Sequence, residues 1–337
     1  MNRRSSGRAA PGERIPYEKG RSATASRRQM HAATRKIQKG LGRGFVSAAL
    51  GALVRPVRRR SLAGLRPLAR RLAWLVRTTT PARHRMAREH MALVLGDRYT
   101  PRDYRRMAAT ATYNLVLTGL ELLKMPTLSR EQITAATRIE GLERLRDALA
   151  AGRGCLMVTA HFGSWELGGA ALAAAGIPMT VIGSFASRGA LLVNEAREAL
   201  GVQVLEPEDL RGMLRALRQG RCLAILPDLS HVTRKSVVVD FMGRPALTAV
   251  GVPLLAQRSG CPVVPTFCPR QEDGTCLVRV FPALELSHTG VMERHLRENA
   301  ALFNRVIGEQ IAEHPDQWLW LHNRWKVYPE LMSPASE

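Results

Sequence analysis

The sequence predicts an α/β domain with a mixed, largely parallel central sheet flanked by helices and preceded by a helical N-terminal region. Two observations carry that expectation. From Gly152 onward, short β-rich runs alternate with helix-length ones, the spacing of strand–helix–strand units. Before Gly152, apolar residues recur at intervals of three and four, as in Leu65, Leu68, Leu72 and Leu75, which is a helical period. With 45% hydrophobic residues in 337, the chain has enough apolar material for a sizeable core.

In chain order, residues 1–40 are rich in Arg, Ser, Gly and Ala, bury too little to offset ordering entropy, and are expected to form a disordered basic tail. Residues 41–61 read as an apolar and polybasic, membrane-associating segment. Residues 44–54 carry no charge, and Arg55, Arg58, Arg59 and Arg60 close the run. It is shorter than the roughly 20 residues a spanning helix needs. It suits a shallowly inserted helix or, equally, a helix packed on the domain. The main domain then covers residues 62–330, helical over 62–151 and α/β over 152–330. Helices are expected over 62–94, from the Thr100-Pro101 N-cap pair to about Lys124, and over 142–151. The strands are 155–159, 179–182, 202–205, 222–226, 237–239, 263–267 and 277–280. Their helices are 166–175, 189–200, 207–218, 250–258 and 291–312. The longest uncharged stretch, 167–187, is not a membrane span, because Gly176-Ile177-Pro178 breaks it into a helix end, a turn and a strand.

Charge is unevenly placed. Residues 1–90 hold 23 basic and three acidic side chains, and the remaining 247 hold 27 basic and 25 acidic. A near-neutral domain behind so basic a segment suits a polyanionic partner: an anionic membrane surface, an acidic protein or nucleic acid. A non-enzymatic nucleic-acid-binding protein is the rival class. However, only Tyr17, Phe45 and Trp74 offer stacking surfaces in that segment, and no nucleic-acid-binding motif appears, so no nucleic acid is expected. The five cysteines form no CxxC pair and leave an odd count, which suits a reducing compartment. The histidines show no metal-ligand spacing, and neither a metal nor a cofactor is expected.

The chemistry concentrates where strand 155–159 ends, because ligands in open α/β sheets bind beyond the carboxyl ends of strands. His161 sits there, with Glu166 five residues on. A carboxylate so placed would fix the imidazole tautomer and stabilise the imidazolium. With no GxSxG elbow, the simplest chemistry is general-base activation of a substrate hydroxyl. Arg197 and Arg244 are candidate anion clamps. The backbone near Gly243 and Gly251, which bracket an apparent strand–loop–helix joint, is a candidate phosphate or oxyanion cradle. Asp228, at a strand end, is a second carboxylate that either orients the site or caps the next segment.

The block His161-Phe162-Gly163-Ser164-Trp165-Glu166 closely resembles the H-x4-[D/E] block of lysophospholipid and glycerolipid acyltransferases, above all the lauroyl and myristoyl transferases of lipid A biosynthesis. Ser164 stands where that family usually carries Asn. Further blocks follow in order: Gly152-Arg153-Gly154, Arg197 with Gly201, Pro227-Asp228 (with Leu229 where Gln is usual), residues 239–251, Val264-Pro265, and the tryptophan-rich ending 318–326. The resemblance covers roughly residues 62–330. It implies an O-acyltransferase in which His161 and Glu166 are catalytic and Arg197, Asp228, Gly243, Arg244, Thr248 and Gly251 bind substrate. It further implies an acyl carrier protein or acyl-CoA donor and a lipid acceptor, most like a lipid A precursor or else another phospholipid or glycolipid. The setting it implies is the cytoplasmic face of a bacterial inner membrane, with peripheral or shallow anchoring. The ending with Trp318, Trp320, His322 and Arg324 reads as structural.

Overall fold

The computed structural model describes residues 53–230 and 236–326. The tail expected over 1–40 and the first part of segment 41–61 lie outside the described residues. Helices α1 (Leu62–Thr79), α2 (Pro81–Leu95) and α3 (Pro101–Lys124) open the domain. The single run expected over 62–94 is two helices, because Thr80 leaves helical geometry and Pro81, which lacks an N–H, starts afresh at the first turn of α2. The Thr100 side chain accepts from the Asp103 N–H while Asp103 accepts from the Thr100 N–H, a complete capping box on α3.

Next come α4 (Arg130–Ala136), β1 (Thr137–Glu140), α5 (Leu142–Ala150), β2 (Cys155–Val158), α6 (Trp165–Ala174), β3 (Met179–Ile182), α7 (Arg188–Glu198), β4 (Gln203–Leu205), α8 (Leu210–Arg218) and β5 (Cys222–Ile225). The chain closes with β6 (Ser236–Phe241), β7 (Arg244–Ala249), α9 (Gly251–Ser259), β8 (Val263–Phe267), β9 (Cys276–Val280) and α10 (Met292–Glu313).

Seven strands form one sheet in the order β1-β9-β8-β2-β5-β3-β4. β8, β2, β5, β3 and β4 run parallel, and β9 turns antiparallel to β8 and carries β1 in parallel at the edge. β2 is buried along its whole length, so its side chains feed two cores by alternation. Leu156 and Val158 join Leu223, Val263 and residues of α2 and α10. Cys155 and Met157 join Cys222, Ala224, Val264 and α6 on the other face. A smaller cluster of Val57, Leu65, Ala69, Leu117 and Leu120 ties residues 53–58, which are helical, to α1 and α3. The Lys124 ammonium donates to the Arg58 carbonyl at 2.8 Å, so this end of segment 41–61 packs on the domain.

β6 and β7 stand apart from the sheet as a two-stranded hairpin. The joint read from sequence as strand–loop–helix is therefore strand–turn–strand–helix. Pro245 hides β7 in the sequence, since proline is tolerated in such an edge pair although it cannot donate to a ladder. Met242 and Gly243 form the tip, both with positive φ (56° and 78°), as a two-residue type I′ turn requires. No described helix is long and apolar enough to cross a membrane.

Candidate active site

β2 and β5 are neighbours in register, Val158 opposite Ile225. Three residues beyond each lie His161 and Asp228, so the sheet brings together two groups far apart in sequence. Asp228 is fully buried. One oxygen lies 2.9 Å from His161 Nδ1, and the other accepts the His161 backbone N–H at 3.0 Å and the Trp318 indole N–H at 2.9 Å. An ionised carboxylate only accepts, so in the neutral ring the proton sits on Nδ1 and Nε2 keeps its lone pair. The His161 side chain is 27% exposed, and its ring edge packs on Trp165 with centroids 5.4 Å apart. Burial pulls the imidazole down, but the charge and hydrogen bond of Asp228, aided by Glu166 and opposed by Arg197, hold it above the ordinary histidine value. Burial pushes Asp228 up, and its contacts with His161 and Trp318 bring it below the usual carboxylate range.

The expectation that Glu166 fixes the imidazole tautomer is corrected by this geometry: Asp228 makes that hydrogen bond. Glu166 lies in the first turn of α6 and points instead at Arg197, whose Nε donates at 3.1 Å and whose Nη2 donates to the second oxygen. Trp165 Nε1 donates to the same carboxylate at 3.2 Å. Arg197 is thus committed to a bidentate pair rather than free to clamp an anion.

The loop between His161 and Glu166 is held from three sides. Phe162 forms a β-bridge with Trp318, and the Leu319 N–H donates to the His161 carbonyl at 3.1 Å. Gly163 has φ +59° and lies so close to the Cys268 carbonyl that a side chain would collide with it, which explains the glycine in the block. Ser164 is fully buried, its hydroxyl donating to Glu121 at 2.8 Å. Glu121, on α3, forms a two-pronged pair with Arg270 (2.7 Å at each oxygen), and Arg270 also donates to Thr118, whose hydroxyl donates to the Gly163 carbonyl. Burial pulls Arg270 down, but Glu121 more than offsets it and the guanidinium is held above its ordinary value. Glu121, Arg270, Thr118 and the contact of Trp318 with Asp228 were not found by sequence reasoning. The local periodicity that places Glu121 on a helix says nothing of what faces it across the fold.

The other expected site residues lie elsewhere or are spoken for. Asp228 has no exposed surface for substrate. Gly243 sits at the hairpin tip, donating to Asp240 at 3.2 Å, and exposed Arg244 reaches the Leu93 carbonyl at 3.4 Å. Thr248 is buried and accepts from Arg324 and Asn304. Gly251 is exposed at the start of α9 with ordinary helical geometry, which no contact requires to be glycine. Arg324 is fully buried, donates to Ser230, Thr248 and the Leu247 carbonyl, and lies 4.7 Å over the Phe241 ring. Burial, opposed by Asp228, pushes it down to about 10. The ending expected to be structural is so, and through Trp318 it also reaches the His161 partner.

Trp165, Glu166 and Arg197 form the polar wall of a cavity of about 50 Å³ between α6 and the sheet, closed below by Met125, Met157 and Met179. A larger cleft of about 1040 Å³ lies elsewhere, among the hairpin tip, the end of α2 and α10, and touches none of these groups. All five cysteines are buried, and contact with Cys222 together with burial holds the Cys155 thiol far above its ordinary value.

The family described as "Bacterial lipid A biosynthesis acyltransferase" matches residues 43–327. A lipid A biosynthesis lauroyltransferase of Escherichia coli is 31% identical over 210 residues, 59% of this chain and 65% of the relative. A phosphatidylinositol mannoside acyltransferase of Mycobacterium tuberculosis is 29% identical over 214 residues, 61% of this chain and 66% of the relative. A lipid A biosynthesis palmitoleoyltransferase of Escherichia coli is 26% identical over 57% of this chain and 62% of the relative. The chain spans just under two thirds of the length of these relatives.

Proposed function

The chain belongs to the bacterial lipid A biosynthesis acyltransferase family, and from that premise we propose that it is an O-acyltransferase. It moves a fatty acyl chain from an acyl thioester to a hydroxyl of a membrane glycolipid. The observation that carries this reading is the part-exposed His161 imidazole with Nδ1 held by buried Asp228. In this mechanism Nε2 takes the proton of the acceptor hydroxyl as its oxygen attacks the thioester carbonyl. A carbon–oxygen bond forms, the carbon–sulfur bond breaks, and the proton passes from His161 to the leaving thiolate. Asp228 stabilises the imidazolium between these steps. Glu166 holds Arg197 at the wall of the small cavity.

No acyl-enzyme is needed. Ser164 is buried and bound to Glu121, and the cysteines are buried, so neither supports a covalent route. The donor in this reading is acyl carrier protein or acyl-CoA, the acidic carrier suiting a basic surface. The acceptor is a lipid A precursor. The mannoside acyltransferase relative, almost as similar as the lauroyltransferase, favours a phosphatidylinositol glycoside as the second reading. The protein works peripherally at the cytoplasmic face of the inner membrane, where thioester and lipid acceptor meet.

The test incubates purified protein with each acyl thioester and each acceptor, and follows the lipids by mass spectrometry. One added acyl chain on one glycolipid class supports the reading and names the acceptor. No acyl transfer to any glycolipid overturns it. Stoichiometric label on the protein when acceptor is omitted would replace direct transfer with a covalent route.

A further inference from the structure

Helix α1 turns Leu65, Ala69 and Ala73 into the domain and presents Trp74 and Leu75 on the outside. Their exposures are 63% and 49%, so the two neighbours form an apolar step on the surface. Around Trp74 at helical spacing lie Arg70, Arg71 and Arg77. Just beyond, where α1, α2 and α3 meet, is a pocket of about 270 Å³ whose wall includes Trp74, Arg77, His84, Arg88 and Arg105. Among the described residues, none of these arginines pairs with a carboxylate. Cations left unpaired around an exposed indole are ready for an external anion.

We propose that this corner of the folded domain is a bilayer-docking surface, with Trp74 and Leu75 seated in the headgroup–acyl boundary and Arg77, Arg88 and Arg105 receiving a lipid phosphate. Indole rings favour the membrane interface, and guanidinium groups beside them extend toward phosphate, which they bind in fork geometry. An acidic carrier protein would meet the same positive charge. The Trp–Leu step protruding between arginines fits an apolar boundary beneath a layer of anions, and so favours the bilayer. The inference rests on the membrane-acceptor reading above and assigns that membrane contact to a surface of the domain, separate from the basic segment before residue 53.

The test uses the full chain with vesicles of phosphatidylcholine alone or mixed with phosphatidylglycerol, with bromine on the acyl chains as a quencher of tryptophan fluorescence. Of the other four tryptophans, three are buried and Trp165 is half-buried, so quenching reports chiefly on Trp74. The expected result is quenching in the anionic vesicles, its loss in Trp74→Phe, and partition about fivefold weaker for each of Arg77→Gln, Arg88→Gln and Arg105→Gln. A vesicle-bound protein whose tryptophans are not quenched places the contact elsewhere and overturns the proposal. So do failure to bind, equal quenching in neutral vesicles, or unchanged quenching in Trp74→Phe. Protection of Trp74 by an acidic carrier protein, without lipid quenching, would reassign the surface to that partner. Acyl transfer, followed in the anionic vesicles after adding an acyl thioester and the glycolipid acceptors, is a separate readout: quenching without transfer to any of them rejects the enzymatic reading and leaves the surface standing.

Discussion

Asp228 and Glu166 both bear on the charge of His161, but they do so in opposite settings. Asp228 comes from 67 residues away, is fully buried, and spends both oxygens on His161 and Trp318. Glu166 is five residues away, part-buried, and neutralised by Arg197. The distant carboxylate holds the imidazole, and the near one holds an arginine at the cavity wall. Closeness along the chain is a poor guide to which acid serves a base when a parallel sheet brings distant strand ends together.

The largest expected effect is at the ring itself: His161→Ala loses acyl transfer by ~10²–10⁴-fold while circular dichroism stays native. Asp228→Asn falls in the same range but short of His161→Ala, because an amide can donate to Nδ1 and favours the wrong tautomer. Turnover on a fixed acceptor, measured for both, ranks them. Next is a loss of stability. Glu121→Ala strands the buried Arg270 guanidinium and costs about 3–5 kcal/mol, read as a lower denaturant midpoint. Removing both charges together, as Glu121→Gln with Arg270→Met, should recover part of that loss. The smallest effect is Glu166→Gln, which weakens one charge-assisted pair at a partly solvated wall and costs activity about tenfold. If Glu166→Gln proves more damaging than Asp228→Asn, the assignment of the two carboxylates is reversed.

Much of this was legible in the sequence where the signal is local. Strands 179–182 and 263–267 and the helix from Pro101 to Lys124 are found as expected, since apolar runs, a capping threonine and a proline mark them. β1, with Ile139 as its one large apolar side chain, is a strand only because β9 pairs with it, and nothing in Thr-Arg-Ile-Glu announces that. The role of Asp228 was half legible. Both it and His161 lie three residues past paired strand ends, but only the strand order, with β5 beside β2, makes them neighbours. The Glu121–Arg270 pair spans 149 residues and needed the tertiary fold. Gly243 and Thr248 sit where the geometry gives them structural roles, a turn tip and a partner for Arg324, whereas nothing in the structure explains a glycine at 251.

The most direct test of the account is the pH dependence of kcat/KM in wild type, Asp228→Asn and Glu166→Gln. A general base must be neutral, so activity should rise as pH passes up through the His161 pKa, and in wild type that limb should lie above 6.5, the ordinary histidine value. Removing the Asp228 charge leaves burial as the dominant influence, which lowers the pKa. The limb should therefore move to lower pH in Asp228→Asn and move less in Glu166→Gln. A limb that stays in place in Asp228→Asn, or shifts further in Glu166→Gln, would contradict a His161 base held by Asp228.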